Sequence, residues 1–139
     1  MTGEIMIYGV GIDLVENNRI EKIIKKWDSK FLNRIFSAGE IEYCERHVQS
    51  STHYGARFAA KESFLKALGM GLGEGIRLSD IKVVNDEKGK PSLALCGKAK
   101  AQIEKRKITQ VHLSLTHTKQ YATAIVLLEK NSESQVSEA

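Results

Sequence analysis

From Ile5 to Val15 the chain reads Ile-Met-Ile-Tyr-Gly-Val-Gly-Ile-Asp-Leu-Val, an apolar run rich in Ile and Val and interrupted by Gly9 and Gly11. This run constrains the fold most, because so many consecutive apolar side chains have to leave water. Its length and β-branched content read as a buried strand that ends at Asp13. Asn17 and Asn18 follow as caps for a helix with Ile20, Ile23, Ile24 and Trp27 at i, i+3, i+4, i+7. That stripe leaves Arg19, Lys22, Lys25 and Lys26 for the outer faces. Ser37 and Glu40 fit a capping box for a second helix running to about His47.

The best-marked helix spans about Thr52 to Leu68. At 100° per residue, Ala56, Ala59, Ala60, Ser63, Phe64, Ala67 and Leu68 share one face, and Lys61, Glu62 and Lys66 fall on the other beside Phe58 and Leu65. Gly69, Gly71, Gly73 and Gly75 end it. Leu78 to Asn85 alternates as a strand, Asn85 to Pro91 is turn chemistry, and Ser92 to Leu95 is the return strand of a hairpin. A short helix suits Gly97 to Arg106, and two strands, Val111 to Leu115 and Tyr121 to Leu128, flank the turn Thr116-His117-Thr118-Lys119. Helices early and strands late predict an α+β fold, helices packed on a largely antiparallel sheet, as a single domain over residues 1–129 with a disordered tail over 130–139.

Composition excludes whole classes. With 42% hydrophobic residues the chain is too apolar to be disordered, and no apolar run approaches the ~18 residues of a membrane span. The N-terminus lacks the basic start and cleavage site of a signal peptide, so a cytoplasmic location is expected. Cys44 and Cys96 lie far apart and read as packing residues; His47, His53 and His112 fall in no metal-ligand spacing. The net charge is +4, and with Glu133 and Glu138 of the tail set aside, 21 bases face 15 acids. A basic body points to an anionic partner. The nine aromatic residues (four Phe, four Tyr, one Trp) sit mostly in apolar stripes and no nucleic-acid-binding signature is present, which argues against nucleic acid as that partner.

Two carboxylates stand out. Asp13 ends an apolar strand, where a charge needs a cation or a capping role; pairing with Arg19 or capping the next turn are the plain alternatives. Glu62 and Lys66 are four apart on one helix side, and so are Arg57 and Lys61. Surface ion pairs would explain the charges, though not the Phe58 and Leu65 beside them. An apolar floor carrying one carboxylate and several cations suits a phosphate site with a metal, and Mg²⁺ is typically held by one or two carboxylates plus phosphate oxygens and water. Asp13 and Glu62 are the candidate ligands, with Lys66 meeting the phosphate charge. His117, near hydroxyls, is a candidate general base or phosphate contact, or simply a hydrogen-bonded surface group. The stretch Gly69 to Gly75 lacks the ending of a P-loop and follows a helix, which excludes a Walker site.

Three segments in this order, Gly9-Val10-Gly11-Ile12-Asp13-Leu14-Val15-Glu16 with Arg19, Gly55-Ala56-Arg57-Phe58-Ala59-Ala60-Lys61-Glu62 with Lys66-Ala67-Leu68-Gly69, and Leu113-Ser114-Leu115-Thr116-His117-Thr118 with Tyr121-Ala122, resemble the holo-[acyl-carrier-protein] synthases, the short bacterial type of 4′-phosphopantetheinyl transferase. Gly89-Lys90-Pro91 belongs to the same pattern, and the resemblance reaches to about Glu129. It implies transfer of the phosphopantetheine arm of coenzyme A to a serine of apo-acyl carrier protein for fatty acid biosynthesis, with release of adenosine 3′,5′-bisphosphate, Mg²⁺ as cofactor, and a homotrimer with active sites between subunits. By position it implies Asp13 and Glu62 as metal ligands, Glu62 and Lys66 as catalytic residues, Arg57, Lys61, Lys66 and His117 at the coenzyme, and Arg19 toward the carrier protein, joined on the same helix by Lys22 and Lys26. Leu65 and Thr116 replace serines found in some relatives. The identity of the base that takes the serine proton stays open: Glu62 through a water, a metal-bound hydroxide or another carboxylate.

Overall fold

The computed structural model describes residues 4–27, 29–71 and 74–132. β1 (Ile5–Glu16) leads into α1 (Asn17–Trp27), α2 (Ser29–Ile35), α3 (Ala38–Glu45) and the long α4 (Ser50–Leu68). A 3-10 turn (Leu78–Asp80) opens β2 (Ile81–Asn85), followed by β3 (Pro91–Leu95), α5 (Gly97–Lys105), β4 (Ile108–His117) and β5 (Tyr121–Asn131). β1, β5 and β4 form one antiparallel sheet in the order β1-β5-β4, and β2 pairs with β3 in a separate antiparallel hairpin. The α+β reading therefore holds. Among the described residues, no helix is long and apolar enough to cross a membrane.

α4 lies across the inner face of the large sheet, and the glycines of β1 make that approach possible. A Cβ on Gly11 would sit 1.9 Å from the Ser63 carbonyl oxygen, and one on Gly9 2.0 Å from that of Ala67. Alanines at 56, 59, 60 and 67 thin the opposing helix surface, and Ser63 Oγ donates to the Ala124 carbonyl to lock helix to sheet. The N-terminal half of α4 packs with Val15, Ile20, Phe36, Cys44 and Val83; the C-terminal half packs with Ile76, Ile81, Ile108, Val126 and Leu128. The Cys44 thiol is pushed up to about 12 by burial, as befits a packing residue.

β1 is not buried as a whole. A bulge at Tyr8 shifts its pairing with β5, so Ile5 and Ile7 before it face the same way as Val10, Ile12 and Leu14 after it. These five side chains are 50–69% exposed on the outer face of the sheet, and the strand continues past Asp13 to Glu16. α4 is likewise buried on more than its small-residue face: Lys61 and Leu65 are inside, because α3 and β2 close over the side expected to meet water. Trp27, expected in the buried stripe of α1, is 54% exposed. Asn17 is the first residue of α1 and acts as a tie, its amide donating to the carbonyls of Thr118 and Lys119.

Local chemistry explains other boundaries. Ser37 and Glu40 make both halves of the capping box at α3. Asp86 closes the β2–β3 turn by accepting from the amides of Lys88 and Lys90, with Gly89 at φ +85°. α2 has no counterpart in the sequence reading, since seven residues carry too little periodicity to register. Lys130 and Asn131 belong to β5 and not to the expected tail, of which residues 133–139 lie outside the described residues.

Candidate active site

Strand β1 and helix α4 bring together residues far apart in sequence. Asp13 sits on the helix-facing side of β1, its carbonyl accepting from Thr123 Oγ1 at 2.7 Å. One turn of α4 separates Glu62 from Lys66, whose ammonium donates to Asp13 Oδ1 and to the Ile12 carbonyl, both at 3.0 Å. Asp13 and Glu62 line one cavity of about 420 Å³ floored by Leu14, Val15, Ile20, Phe31 and Phe58, with Arg19 on its lining too. Glu62 has no ion-pair or hydrogen-bond partner among the described residues. Its carboxyl is held above the ordinary value, chiefly by desolvation and then by the charge of Asp13, with Lys66 opposing.

Three carboxylates line this half-apolar cavity, Asp13, Glu16 and Glu62, against the Arg19 guanidinium on the lining and the Lys66 ammonium on Asp13, which leaves negative charge that a cation would balance. Among the described residues no cluster of three or more His, Cys, Asp or Glu side chains forms. Asp13 and Glu62 offer two carboxylates, a set that suits a hard ion completed by phosphate oxygens and water and does not suit zinc. Mg²⁺ fits these residues.

The residues expected around the coenzyme do not all converge. Arg57, only 4% exposed, donates from Nη2 to Asn85 Oδ1 at 2.7 Å and lies 4.0 Å above the Tyr43 ring. It lines a second cavity of about 430 Å³ with Arg46 and the turn residues Asn85 and Gly89, and its buried Nε has no partner among the described residues. His117 is the last residue of β4 and not part of a turn; its ring meets His53 edge-on at 5.2 Å, and His53 in turn lies 5.7 Å from Tyr43. Burial, then His47, His117 and Arg57, lower His53 to about 4. His117 lines neither cavity.

Lys61 corrects the sequence reading. Its fully buried ammonium donates to Glu40 Oε1 at 2.7 Å, to the Leu78 carbonyl at 3.1 Å and to the Ile81 carbonyl, so all three donors are engaged inside the protein. No donor is left to face a ligand. Burial lowers this lysine and Glu40 opposes that shift.

Arg19, Lys22 and Lys26 are all exposed along α1. Sequence reasoning missed what lies beside them: Ile23, Trp27 and Phe31 form an apolar groove of about 480 Å³ edged by Lys30 and Arg34. Finding it required α2. Asn85 and Tyr43, the partners of Arg57, were also missed, because neither belongs to a chemistry-bearing motif. A larger cavity of about 650 Å³, where the starts of α1 and α4 meet the β4–β5 turn, contains none of the candidates.

The model of the 4′-phosphopantetheinyl transferase superfamily matches residues 9–126. The holo-[acyl-carrier-protein] synthase of Syntrophus aciditrophicus (strain SB) is 57% identical over 124 residues, which cover 89% of this chain and 97% of the relative. The chain belongs to the holo-[acyl-carrier-protein] synthase family. Solved synthases share its fold. The enzyme from Neisseria meningitidis superposes with a TM-score of 0.83 at 32% identity, covering 90% of this chain and all of the other. That from Bacillus anthracis, solved in complex with CoA (3′,5′-ADP), gives 0.74 at 38% identity, covering 91% and 99%. The synthase family's α+β architecture with antiparallel sheets is thus the one found here, and all three motif-bearing segments fall within the matched region.

Proposed function

We propose that this chain transfers the 4′-phosphopantetheine group of coenzyme A to a serine of an apo-acyl carrier protein, with Mg²⁺, releasing adenosine 3′,5′-bisphosphate, in the cytoplasmic service of fatty acid biosynthesis. The observation that carries the reading is the shared cavity of Asp13 and Glu62, with Lys66 bound to Asp13. In the reaction the serine Oγ attacks the phosphorus bearing the pantetheine arm, and the bond from that phosphorus to the bridging oxygen breaks. The bisphosphate leaves with that oxygen. Such a transfer depends on positioning and on neutralising the developing charge more than on covalent chemistry from the protein.

Asp13 and Glu62 would hold the cation, which when bound supplies positive charge to the pyrophosphate oxygens. The Lys66 ammonium adds charge at the leaving side. Glu62, half-buried and without a partner among the described residues, is placed to accept the serine proton through a water. Arg57, whose Nε has no partner among the described residues, and Arg46 offer positive charge to the phosphorylated nucleoside half of coenzyme A, in a cavity walled by the β2–β3 turn. His117 adds an imidazole near this cluster.

The test is direct. Incubation with coenzyme A, Mg²⁺ and an apo-carrier protein should add the mass of one phosphopantetheine to the carrier. Cleavage of coenzyme A without that gain would instead mark a pyrophosphate hydrolase, and no reaction with tight nucleic-acid binding would mark a different class altogether.

The carrier protein docks, in this reading, along α1, where Arg19, Lys22 and Lys26 are exposed beside the Ile23–Trp27–Phe31 groove. Attraction between exposed charges is screened beyond ~10 Å at 0.1 M salt. The KM for the carrier should therefore climb several-fold between low and moderate ionic strength, and Arg19→Ala should raise it at low salt and flatten the salt dependence. A KM indifferent to salt would refute the docking surface.

The outer sheet face supports a homotrimer with active sites between subunits. Ile5, Ile7, Val10, Ile12 and Leu14, with Ile125 beside them, form a contiguous exposed apolar surface of a size that monomers rarely leave bare. Sedimentation should give three copies for the wild-type chain and one for Ile12→Glu. A wild-type monomer would overturn the assembly.

A further inference from the structure

Between α3, α4 and β2 the interior holds an ion pair where apolar side chains would ordinarily sit. Glu40 Oε1 accepts from Lys61 Nζ and from the Ser37 amide at 3.0 Å, while Oε2 accepts from the Val83 amide at 2.9 Å. Lys61 reaches in turn to the carbonyls of Leu78, in the 3-10 turn, and of Ile81, the first residue of β2. The five hydrogen bonds exhaust the ammonium and tie three elements at one point. Replacing such a pair by well-packed apolar residues is often neutral or stabilising, so stability alone does not call for it. What an apolar pair lacks is direction.

That direction matters four residues earlier on the same helix face. Arg57 is gripped by the same two neighbouring elements, stacking on Tyr43 of α3 and donating to Asn85 of β2. Val83, bonded to Glu40, and Asn85, bonded to Arg57, are two apart on one strand and line the same cavity as Arg57. The spacing of α3 and β2 therefore sets where the guanidinium points. We propose that Lys61 and Glu40 are positioning residues for the coenzyme site, holding α3 and β2 at the separation that aims Arg57 at an anionic ligand. The inference rests on the reading of that cavity as the coenzyme's, and it replaces direct contact by Lys61 with an indirect role.

Lys61→Met alone would leave Glu40 charged and unpaired in the interior, a change that threatens folding itself. The informative variant is Lys61→Met/Glu40→Gln, which removes both charges and keeps one acceptor oxygen for either the Ser37 or the Val83 amide. Glu40→Gln alone, which keeps an oxygen for Lys61 Nζ, serves if the double variant does not fold. Coenzyme A binding is measured by calorimetry for the wild type, this variant, Arg57→Ala and their combination. A roughly tenfold loss is expected for the charge-free variant, compared at a temperature where it still melts cooperatively from the folded state, and the combination should bind no more weakly than Arg57→Ala, since coupled residues are non-additive. Affinity within twofold of the wild type, or losses that simply add, would overturn the positioning role. Failure of the wild-type chain to bind coenzyme A would instead bring down the reading of the cavity, and this inference with it.

Discussion

Glu62→Gln is expected to abolish phosphopantetheine transfer while the protein stays folded. The side chain keeps its shape, and it gives up no bond, because Glu62 has no ion-pair or hydrogen-bond partner among the described residues. Burial already disfavours the charge that the amide removes, and so does Asp13. The melting temperature should therefore hold or rise slightly. Function, by contrast, loses two things together. One of the two candidate metal carboxylates no longer offers negative charge to a divalent ion, and the acceptor for the serine proton is gone. Loss of a positioned general base alone costs about 10²–10⁴-fold in rate, and weakened metal binding adds to that. Mass spectrometry of the carrier after overnight incubation at high Mg²⁺ is the measurement. A glutamine variant that still loads the carrier at near wild-type rate would remove Glu62 from the chemistry.

The second large effect concerns architecture. Gly11→Ala should prevent the native packing of α4 on the sheet, because its Cβ would lie 1.9 Å from the Ser63 carbonyl oxygen and 2.7 Å from the Ala67 amide nitrogen. These are backbone atoms of a helix held on several sides, so neither partner can step aside cheaply. Overpacking commonly costs ~1–3 kcal/mol, and a backbone clash this close belongs at or beyond the upper end. Gly39→Ala is the control: nothing lies within 4 Å of its added Cβ, and within α3 alanine is favoured over glycine by about 0.5–1 kcal/mol. Urea denaturation should separate the two, with Gly11→Ala unfolded or strongly shifted to low urea and Gly39→Ala at or above the wild-type midpoint. A Gly11→Ala protein of unchanged midpoint would mean that the helix does not rest on β1 as closely as described. The consequence reaches the site as well, since this close approach is what sets Glu62 and Lys66 of α4 beside Asp13.

How much of this was legible beforehand differs by residue. Asp13, Glu62 and Lys66 each stand in a short segment whose pattern marks it, and the fold brings the three together. The capping box at Ser37, the turn after Asn85 and the span of α4 follow from contacts within a few residues, so local sequence suffices for them. Lys61 and Leu65 were misread because a helical wheel assumes a wet side and a dry side. α4 has little wet side, being packed by the sheet, α3 and β2 at once. The exposed row on β1 was equally hidden, because a bulge at Tyr8 changes which residues share a face.

The amino-acid order by itself determined the α+β class, most of the helices, strands and turns, and which side chains were chemically able to act, since these depend on bonds and propensities spanning a few positions. Only the tertiary structure decided which of those side chains meet, placing Asp13 with Glu62, drawing Lys61 inward to Glu40 and leaving Arg57 and His117 in a cluster apart. The reason is that burial of a charge is settled by neighbours tens of residues away, and those neighbours arrive only when the sheet closes on α4.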